Sequence, residues 1–217
     1  MSGPPELESG SGAGLEGGVE NLILMAKAPV LGAVKTRLAA AIGAEAALAA
    51  YRELLSVLFK NLEGMESLTL CATPDGSDAE FSEWLPPDRP VWPQGAGDLG
   101  DRLHRAFGRA FSEGASRVVV IGADCPYVRA DHIREAFRRL QEVDLVLGPA
   151  DDGGYWLIGL ARPNPQLFEE MPWSAPGLLG ATLDVAQRNG VSRALLEHLS
   201  DIDTEDDWGR FKDAWSP

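Results

Sequence analysis

Three short segments of the chain carry residue types suited to chemistry on a charged substrate. The first is Lys27-Ala28-Pro29-Val30-Leu31-Gly32-Ala33-Val34-Lys35-Thr36-Arg37, in which three cations fall within eleven residues of an acidic protein. A loop of this kind brings ammonium groups and backbone N–H groups around phosphates. It is not a Walker A loop, because Val34 stands where the glycine before the lysine is required and the first glycine is missing too. A solvated basic loop is the plainer alternative. The second segment is Val118 to Pro126, VVVIGADCP, an apolar run that stops on Asp124. A carboxylate at such a strand end suits Mg²⁺ or Mn²⁺, which take oxygen ligands and share them with substrate phosphates. Capping of the next turn is the alternative there. The third is Asp151-Asp152-Gly153-Gly154-Tyr155-Trp156, two carboxylates beside two glycines. Asp-Gly-Gly is also ordinary turn chemistry.

Other motifs carry less. Gly95-Ala96-Gly97-Asp98-Leu99-Gly100 matches G-x-G-x-x-G, but it comes mid-chain after Trp92-Pro93, whereas a dinucleotide fingerprint closes the first βαβ unit. What survives is a glycine loop at a helix N-terminus with Arg102 in the first turn, either an anion site or a flexible connector. Cys125 has no histidine placed to activate it and reads as a small buried filler. His104, His132 and His198 lack metal-ligand spacing. Asp201-Ile202-Asp203-Thr204 imitates the Asp-x-Asp-x-Thr of haloacid-dehalogenase phosphatases, but only thirteen residues follow it, too few for the domain that motif requires.

The elements that must position these residues alternate in type. Leu22 to Ala26 reads as a buried strand. From Glu45 the spacing turns helical, with Leu48, Tyr51, Leu55, Leu58 and Leu62 on one stripe and Gly64 closing it. Strands are expected over 68–72, 118–121, 143–147, 155–160 and 193–196. Helices are expected over 131–141 and 178–188 and after Gly100, with a short one over 78–85. Thr204 caps a terminal helix with Asp207 in the capping-box position. Val118 to Ile121 shows no polar alternation, as in a strand covered on both faces. The pattern predicts a single α/β domain over 21–217 with a mixed, mostly parallel sheet flanked by helices. The gap between 147 and 155 is too short for a helical crossover, so those two strands run antiparallel or lie apart. In such sheets ligands bind beyond the carboxyl ends of the strands, and all three chemical segments fall there.

Composition narrows the partners. The net charge of -14 over 217 residues repels nucleic acid and anionic membrane. Two distant cysteines are no disulfide framework and suit a reducing, cytoplasmic setting. Residues 1 to 20, rich in Gly, Ser and Glu, are expected to be disordered and contain no signal peptide. No later apolar run is long enough to cross a bilayer.

Taken together, MAKAPVLGAVKTRL, QGAGDLGDRL, IGADCP, GPADDGGYWLIGL, PWS and DIDTEDDW resemble one family in their order. The chain is similar to GT-A-type nucleotide-diphospho-sugar transferases of a small bacterial group first filed as a domain of unknown function. Some of its members are described as arsenosugar-biosynthesis glycosyltransferases. A more distant likeness is to 2-phospholactate guanylyltransferase. The resemblance implies a GT-A (Rossmann-like) fold, a nucleotide-sugar donor and a Mg or Mn ion. It implies a nucleotide site at Ala26, Lys27, Pro29, Gly32, Lys35 and Arg37, with Gln94, Gly97, Gly100 and Arg102 beside it. Asp124 is the counterpart of the metal-binding acidic motif, with Asp203 a second carboxylate. Gly153, Gly154, Tyr155, Trp173 and Ser174 border the acceptor. Leu31 and Ala33 depart from the family's usual proline and arginine, Ala175 from a threonine and Glu205 from a proline.

The expected reaction is metal-dependent glycosyl transfer to a small-molecule acceptor, with Lys35 on the leaving phosphate and Asp152 as general base. The alternative is nucleotidyl transfer from a nucleoside triphosphate to a phosphorylated small molecule, releasing pyrophosphate. A non-catalytic nucleotide-binding protein is a third reading, against which the candidate metal carboxylates argue.

Overall fold

In the first strand, β1 (Glu20–Lys27), Leu22 to Ala26 are buried without interruption, so both faces of the strand are covered. The computed structural model describes residues 18–86 and 88–215. Residues 1–17 of the segment expected to be disordered therefore lie outside the described residues. Its end does not: Glu20 belongs to β1, and the Val19 carbonyl accepts from the N–H groups of Ser116 and Arg117 at 2.7 and 3.3 Å.

After β1 come α1 (Thr36–Ile42), α2 (Ala44–Asn61), β2 (Leu68–Thr73), β3 (Val91–Pro93), α3 (Leu99–Ser112) and β4 (Arg117–Gly122). Then follow α4 (Ala130–Arg139), β5 (Leu145–Pro149), β6 (Tyr155–Leu160), α5 (Leu178–Arg188), β7 (Arg193–Leu195) and α6 (Glu205–Trp215). The strands form one sheet in the order β3-β2-β1-β4-β6-β5-β7. It is parallel from β3 through β4, while β6 runs antiparallel to both β4 and β5. The short gap before residue 155 is thus a hairpin, and its second strand inserts next to β4. Among the described residues this gives a mixed seven-stranded sheet flanked by six α-helices, the expected α/β architecture of GT-A type.

Side-chain alternation in the central strands divides the core into two layers. Leu22, Leu24, Val119 and Ile121 pack with Tyr51, Leu55 and Leu58 of α2 and Phe137 of α4. Ile23, Met25, Val118 and Val120 pack with Leu103 and Phe107 of α3 and Ala186 of α5. The stripe read from Glu45 onward is the buried face of α2.

Two elements escape the sequence pattern. Helix α1 has seven residues and a single fully buried one, Leu38, which is too little for a 3.6-residue period to register. Strand β3 is a three-residue edge strand ending in Pro93, a residue tolerated at a sheet edge because it lacks an N–H. The short helix expected over 78–85 is reduced to one 3₁₀ turn, Asp78–Phe81.

Candidate functional site

At the end of β1, Tyr51 of α2 grips the backbone of Lys27: its hydroxyl donates to the Lys27 carbonyl at 2.8 Å and accepts from its N–H at 3.2 Å. The chain then turns through Gly32, at φ 73°, and enters α1 at Lys35, which adopts the left-handed conformation at φ 46° and ψ 46°. This turn brings the Lys35 side chain under the sheet edge, where it is 3% exposed. Its Nζ lies 2.5 Å from Asp124 Oδ1 and 3.2 Å from Asp203 Oδ1. Arg37 Nη1 lies 3.6 Å from Asp203 Oδ2. Burial by itself would lower the Lys35 pKa, but Asp124 and Asp203 outweigh it and hold the ammonium above its ordinary value.

Asp124 and Asp203 are far apart in sequence, and backbone pinning explains how they meet. The segment after β7 runs along the rim of the sheet. Glu197 accepts from Trp156 Nε1 at 3.2 Å, Leu199 N–H donates to the Pro149 carbonyl at 3.1 Å, and Ile202 N–H donates to the Asp124 carbonyl at 3.0 Å. Ile202 is buried against Leu54, Val57 and Phe211. Its neighbours Asp201 and Asp203 both line a cleft at the carboxyl ends of the strands. On the β4 side, Asn61 Nδ2 donates to the carbonyls of Pro126 and Val128, fixing the loop that presents Asp124.

Two connected concavities open here. A small one of about 260 Å³ holds Lys35 with Lys27, Arg37, Asp124 and Asp203. A cleft of about 540 Å³ crosses the carboxyl ends of β1, β2 and β4 and the start of β6. Its β1–β2–α3 wall carries Ala26, Lys27, Arg37, Gln94 and Arg102, and its β6 wall carries Asp152, Gly154, Tyr155 and Ser174. Such volumes suit a small-molecule ligand.

Several residues expected in this site are engaged differently or lie outside both concavities. Lys35, expected on donor phosphates, has its ammonium engaged by the two carboxylates. Pro29 and Gly32 shape the β1 loop and do not line either concavity. Gly97 and Gly100 belong to the start of α3, which is not open to an anion: Asp98 Oδ1 accepts from the Asp101 N–H at 2.9 Å, and Asp101 Oδ2 from the Asp98 N–H at 3.1 Å. Two carboxylates therefore already occupy that positive helix end. Trp173 packs against Gly100, where a Cβ would meet the indole at 2.4 Å, and lines a separate groove between α3 and α5. Gly153 supports the turn from behind: at φ 84°, its missing Cβ would stand 1.9 Å from the Pro176 carbonyl oxygen. Asp152 Oδ1 accepts from the Gly154 N–H at 2.8 Å, which fixes the carboxylate at the cleft wall. The Tyr155 hydroxyl is buried, and burial raises its pKa above the usual tyrosine value.

Asp201 is the residue that sequence reading missed. Burial first, then the nearby carboxylates of Asp124 and Asp152, push its pKa up to about 7. The available signal was the alternation Asp-Ile-Asp: with the central Ile202 buried, an extended segment turns both neighbours the other way. Cys125 is the buried filler expected, its thiol pushed up to about 12, chiefly by burial.

Among the described residues no three His, Cys, Asp or Glu side chains form a ready metal cage. Asp124 and Asp203 nonetheless converge on one cation, the Lys35 ammonium, and are 55% and 40% exposed. Two hard oxygen donors open to solvent fit a Mg²⁺-type ion, which keeps waters and takes its remaining ligands from substrate. Among the described residues no helix is long and apolar enough to cross a membrane.

Residues 60–175 match the family described as uncharacterized protein conserved in bacteria (DUF2064). A solved structure from Desulfovibrio desulfuricans G20, described as a candidate nucleotide-diphospho-sugar transferase, is 30% identical, with a TM-score of 0.84, over 91% of this chain and 89% of that one. A 2-phospho-L-lactate guanylyltransferase from Methanocaldococcus infernus is 29% identical over 115 residues, 52% of this chain. The match spans 51% of that relative's length, about half. Glucosyl-3-phosphoglycerate synthase from Mycobacterium tuberculosis, solved with Mn²⁺, UDP and glucosyl-3-phosphoglycerate, is 12% identical at a TM-score of 0.51, over 85% of this chain and 71% of that one. That last likeness is one of fold.

Proposed function

The chain belongs to the DUF2064 family, and from that membership and the cleft we propose that this enzyme transfers a sugar from a nucleotide-diphospho-sugar to a hydroxyl of a small-molecule acceptor. The observation that carries the reading is the meeting of Asp124, Asp203 and Lys35 at the carboxyl ends of β1 and β4, beside a cleft with cations on one wall and Asp152 on the other. The description of the Desulfovibrio relative supports the same class.

In this reading the donor diphosphate lies along the β1–α3 wall, among Lys27, Arg37 and Arg102. Asp124 and Asp203 would hold a Mg²⁺ or Mn²⁺ ion, which when bound supplies positive charge to the departing phosphate. Lys35 keeps the two carboxylates facing one another. The acceptor lies against Gly154 and Ser174, and Asp152 takes the proton of its attacking hydroxyl. The bond from the anomeric carbon to the diphosphate breaks as the bond to the acceptor oxygen forms, and nucleoside diphosphate leaves.

A second reading has one specific support, the likeness to a guanylyltransferase. The same cations would then hold a nucleoside triphosphate, an acceptor phosphate would attack the α-phosphorus, and pyrophosphate would leave. One experiment separates the two. Nucleotide sugars and nucleoside triphosphates are screened by melting temperature with Mg²⁺ or Mn²⁺, since a ligand of the native state raises it. The hits are then assayed for the released product. Nucleoside diphosphate release from a nucleotide sugar supports the first reading, and pyrophosphate release from a triphosphate replaces it with the second.

A further inference from the structure

Gln94 is 5% exposed, and both hydrogens of its side-chain amide are used. Nε2 donates to the Ala26 carbonyl at 3.1 Å and the Cys71 carbonyl at 2.8 Å, tying the ends of β1 and β2 together. Oε1 accepts from Arg102 Nη1 at 3.1 Å. Arg102 Nε donates in turn to the Gly97 carbonyl at 3.2 Å. The Gln94 carbonyl accepts from Arg105 Nε at 3.0 Å and Nη2 at 2.8 Å, so the residue is fixed from both of its ends.

The consequence falls on Arg102. A guanidinium has five N–H donors, and here two of them go to neutral oxygens. No carboxylate pairs with it among the described residues, although the chain carries a net charge of -14. Lys27, in the same cleft, likewise has no carboxylate partner among the described residues. Lys35 and Arg37 differ from both, because Asp124 and Asp203 already engage them. Neutral acceptors orient a guanidinium without cancelling its charge. An oriented, uncancelled fork in a cleft is suited to bidentate binding of a phosphate.

We infer that Arg102 is the principal phosphate-binding residue of the cleft, and that Gln94 is a positioning residue that aims it from the ends of β1 and β2. The inference rests on the proposed transfer from a phosphate-bearing donor. It moves the main phosphate contact from Lys35 to the QGAGDLGDR segment, whose helix end is closed to anions but whose fourth helical residue is not, and leaves Lys27 and Arg37 as supporting charges. The role of that segment is then to hold one charge at one angle.

The test uses inorganic pyrophosphate as the probe, titrated by calorimetry into the full chain in metal-free buffer, with the melting temperature measured for every variant. Arg102→Ala is expected to weaken pyrophosphate binding roughly ten- to a hundredfold, with Arg102→Lys in between because a point charge replaces the fork. Gln94→Ala is expected to weaken it severalfold, and to have no further effect in the Arg102→Ala background, since the two residues act as one unit. A merely structural glutamine would lower the melting temperature equally in both backgrounds and leave the affinity alone, which overturns its positioning role. Unchanged affinity in Arg102→Ala, or no pyrophosphate binding by the unmodified chain, overturns the inference as a whole. The transfer reading fails separately: if no donor in the screen is turned over while pyrophosphate binding still depends on Arg102 and Gln94, the anion site stands and the reaction assigned to it does not.

Discussion

Lys35 Nζ lies 2.5 Å from Asp124 Oδ1, with the lysine side chain 3% exposed and the carboxylate 55% exposed. The cation is inside and the anion faces the cleft. Lys35 thus serves as an internal counter-charge that keeps Asp124 and Asp203 close together on the ligand side. Replacing it by methionine fills the buried space and removes the charge. Lys35→Met is expected to lower stability by about 1 kcal/mol, because the two carboxylates it leaves are partly solvated. Added Mn²⁺ should raise the melting temperature of the variant by more than that of the parent chain. An equal response of the two proteins would show that Lys35 does not hold a cation's place.

Asp124 also accepts the Ile202 N–H through its carbonyl, so its side chain can be changed without cutting the tie to the C-terminal segment. Asp124→Asn keeps the shape and removes the charge. Turnover is expected to fall by about two orders of magnitude, with a modest drop in melting temperature because the buried Lys35 ammonium keeps only Asp203 as its partner. Near-normal turnover at limiting Mn²⁺ would remove Asp124 from the metal-binding pair.

Asp207 gives a pH dependence whose sign follows from its contacts. Burial would raise its carboxyl, but hydrogen bonds from Thr204, Arg210 and the Asp203 N–H pull it down to about 2. A carboxylate depressed in the folded state adds stability above its unfolded value near 4, and that stability is lost as pH falls toward 2. Asp207→Asn is therefore expected to cost on the order of 2 kcal/mol at pH 7, with parent and variant converging near pH 2. Because Asp207 Oδ2 also accepts from the Asp203 N–H at 3.2 Å, the variant should bind Mn²⁺ more weakly at neutral pH. Parallel stability curves across this range would contradict the assignment.

Gly153 lies behind Asp152, in contact with Pro176 and at a φ that side chains disfavour. Gly153→Ala combines backbone strain with a clash against a carbonyl, and its expected cost is about 2 kcal/mol or more. The turn must shift to relieve it and would carry Asp152 with it, so transfer should slow more than donor binding weakens. Thermal melts beside donor titrations read the two effects separately, and an equal loss in both would remove Asp152 from the acceptor side.

The local patterns of this sequence determined most of its elements. Unbroken apolar runs such as Val118 to Ile121 are covered on both faces whatever lies above them, and the α2 stripe from Leu48 to Leu62 has one face to bury. Strand ends and the helix starts at Leu99 and Glu205 follow from glycine and capping residues next to them in the chain. Lys35, Asp124 and Asp152 were visible as residues, because charges that end buried strands or crowd into one loop are legible one segment at a time, whereas Asp203 entered only through the family resemblance. Their partners were not. Tertiary structure alone decided that Lys35 faces Asp124 and Asp203, that the carboxylates of Asp98 and Asp101 close the α3 N-terminus, and that Trp173 lies in a groove apart from Ser174. It also decided that Asp201 is half-buried beside like charges. The reason is physical: a side chain's charge is local, whereas its electrostatic environment is set by groups up to 168 residues away, as between Lys35 and Asp203. Packing of the 196–203 segment against the sheet rim brings them within reach, and no periodicity within either segment records that contact.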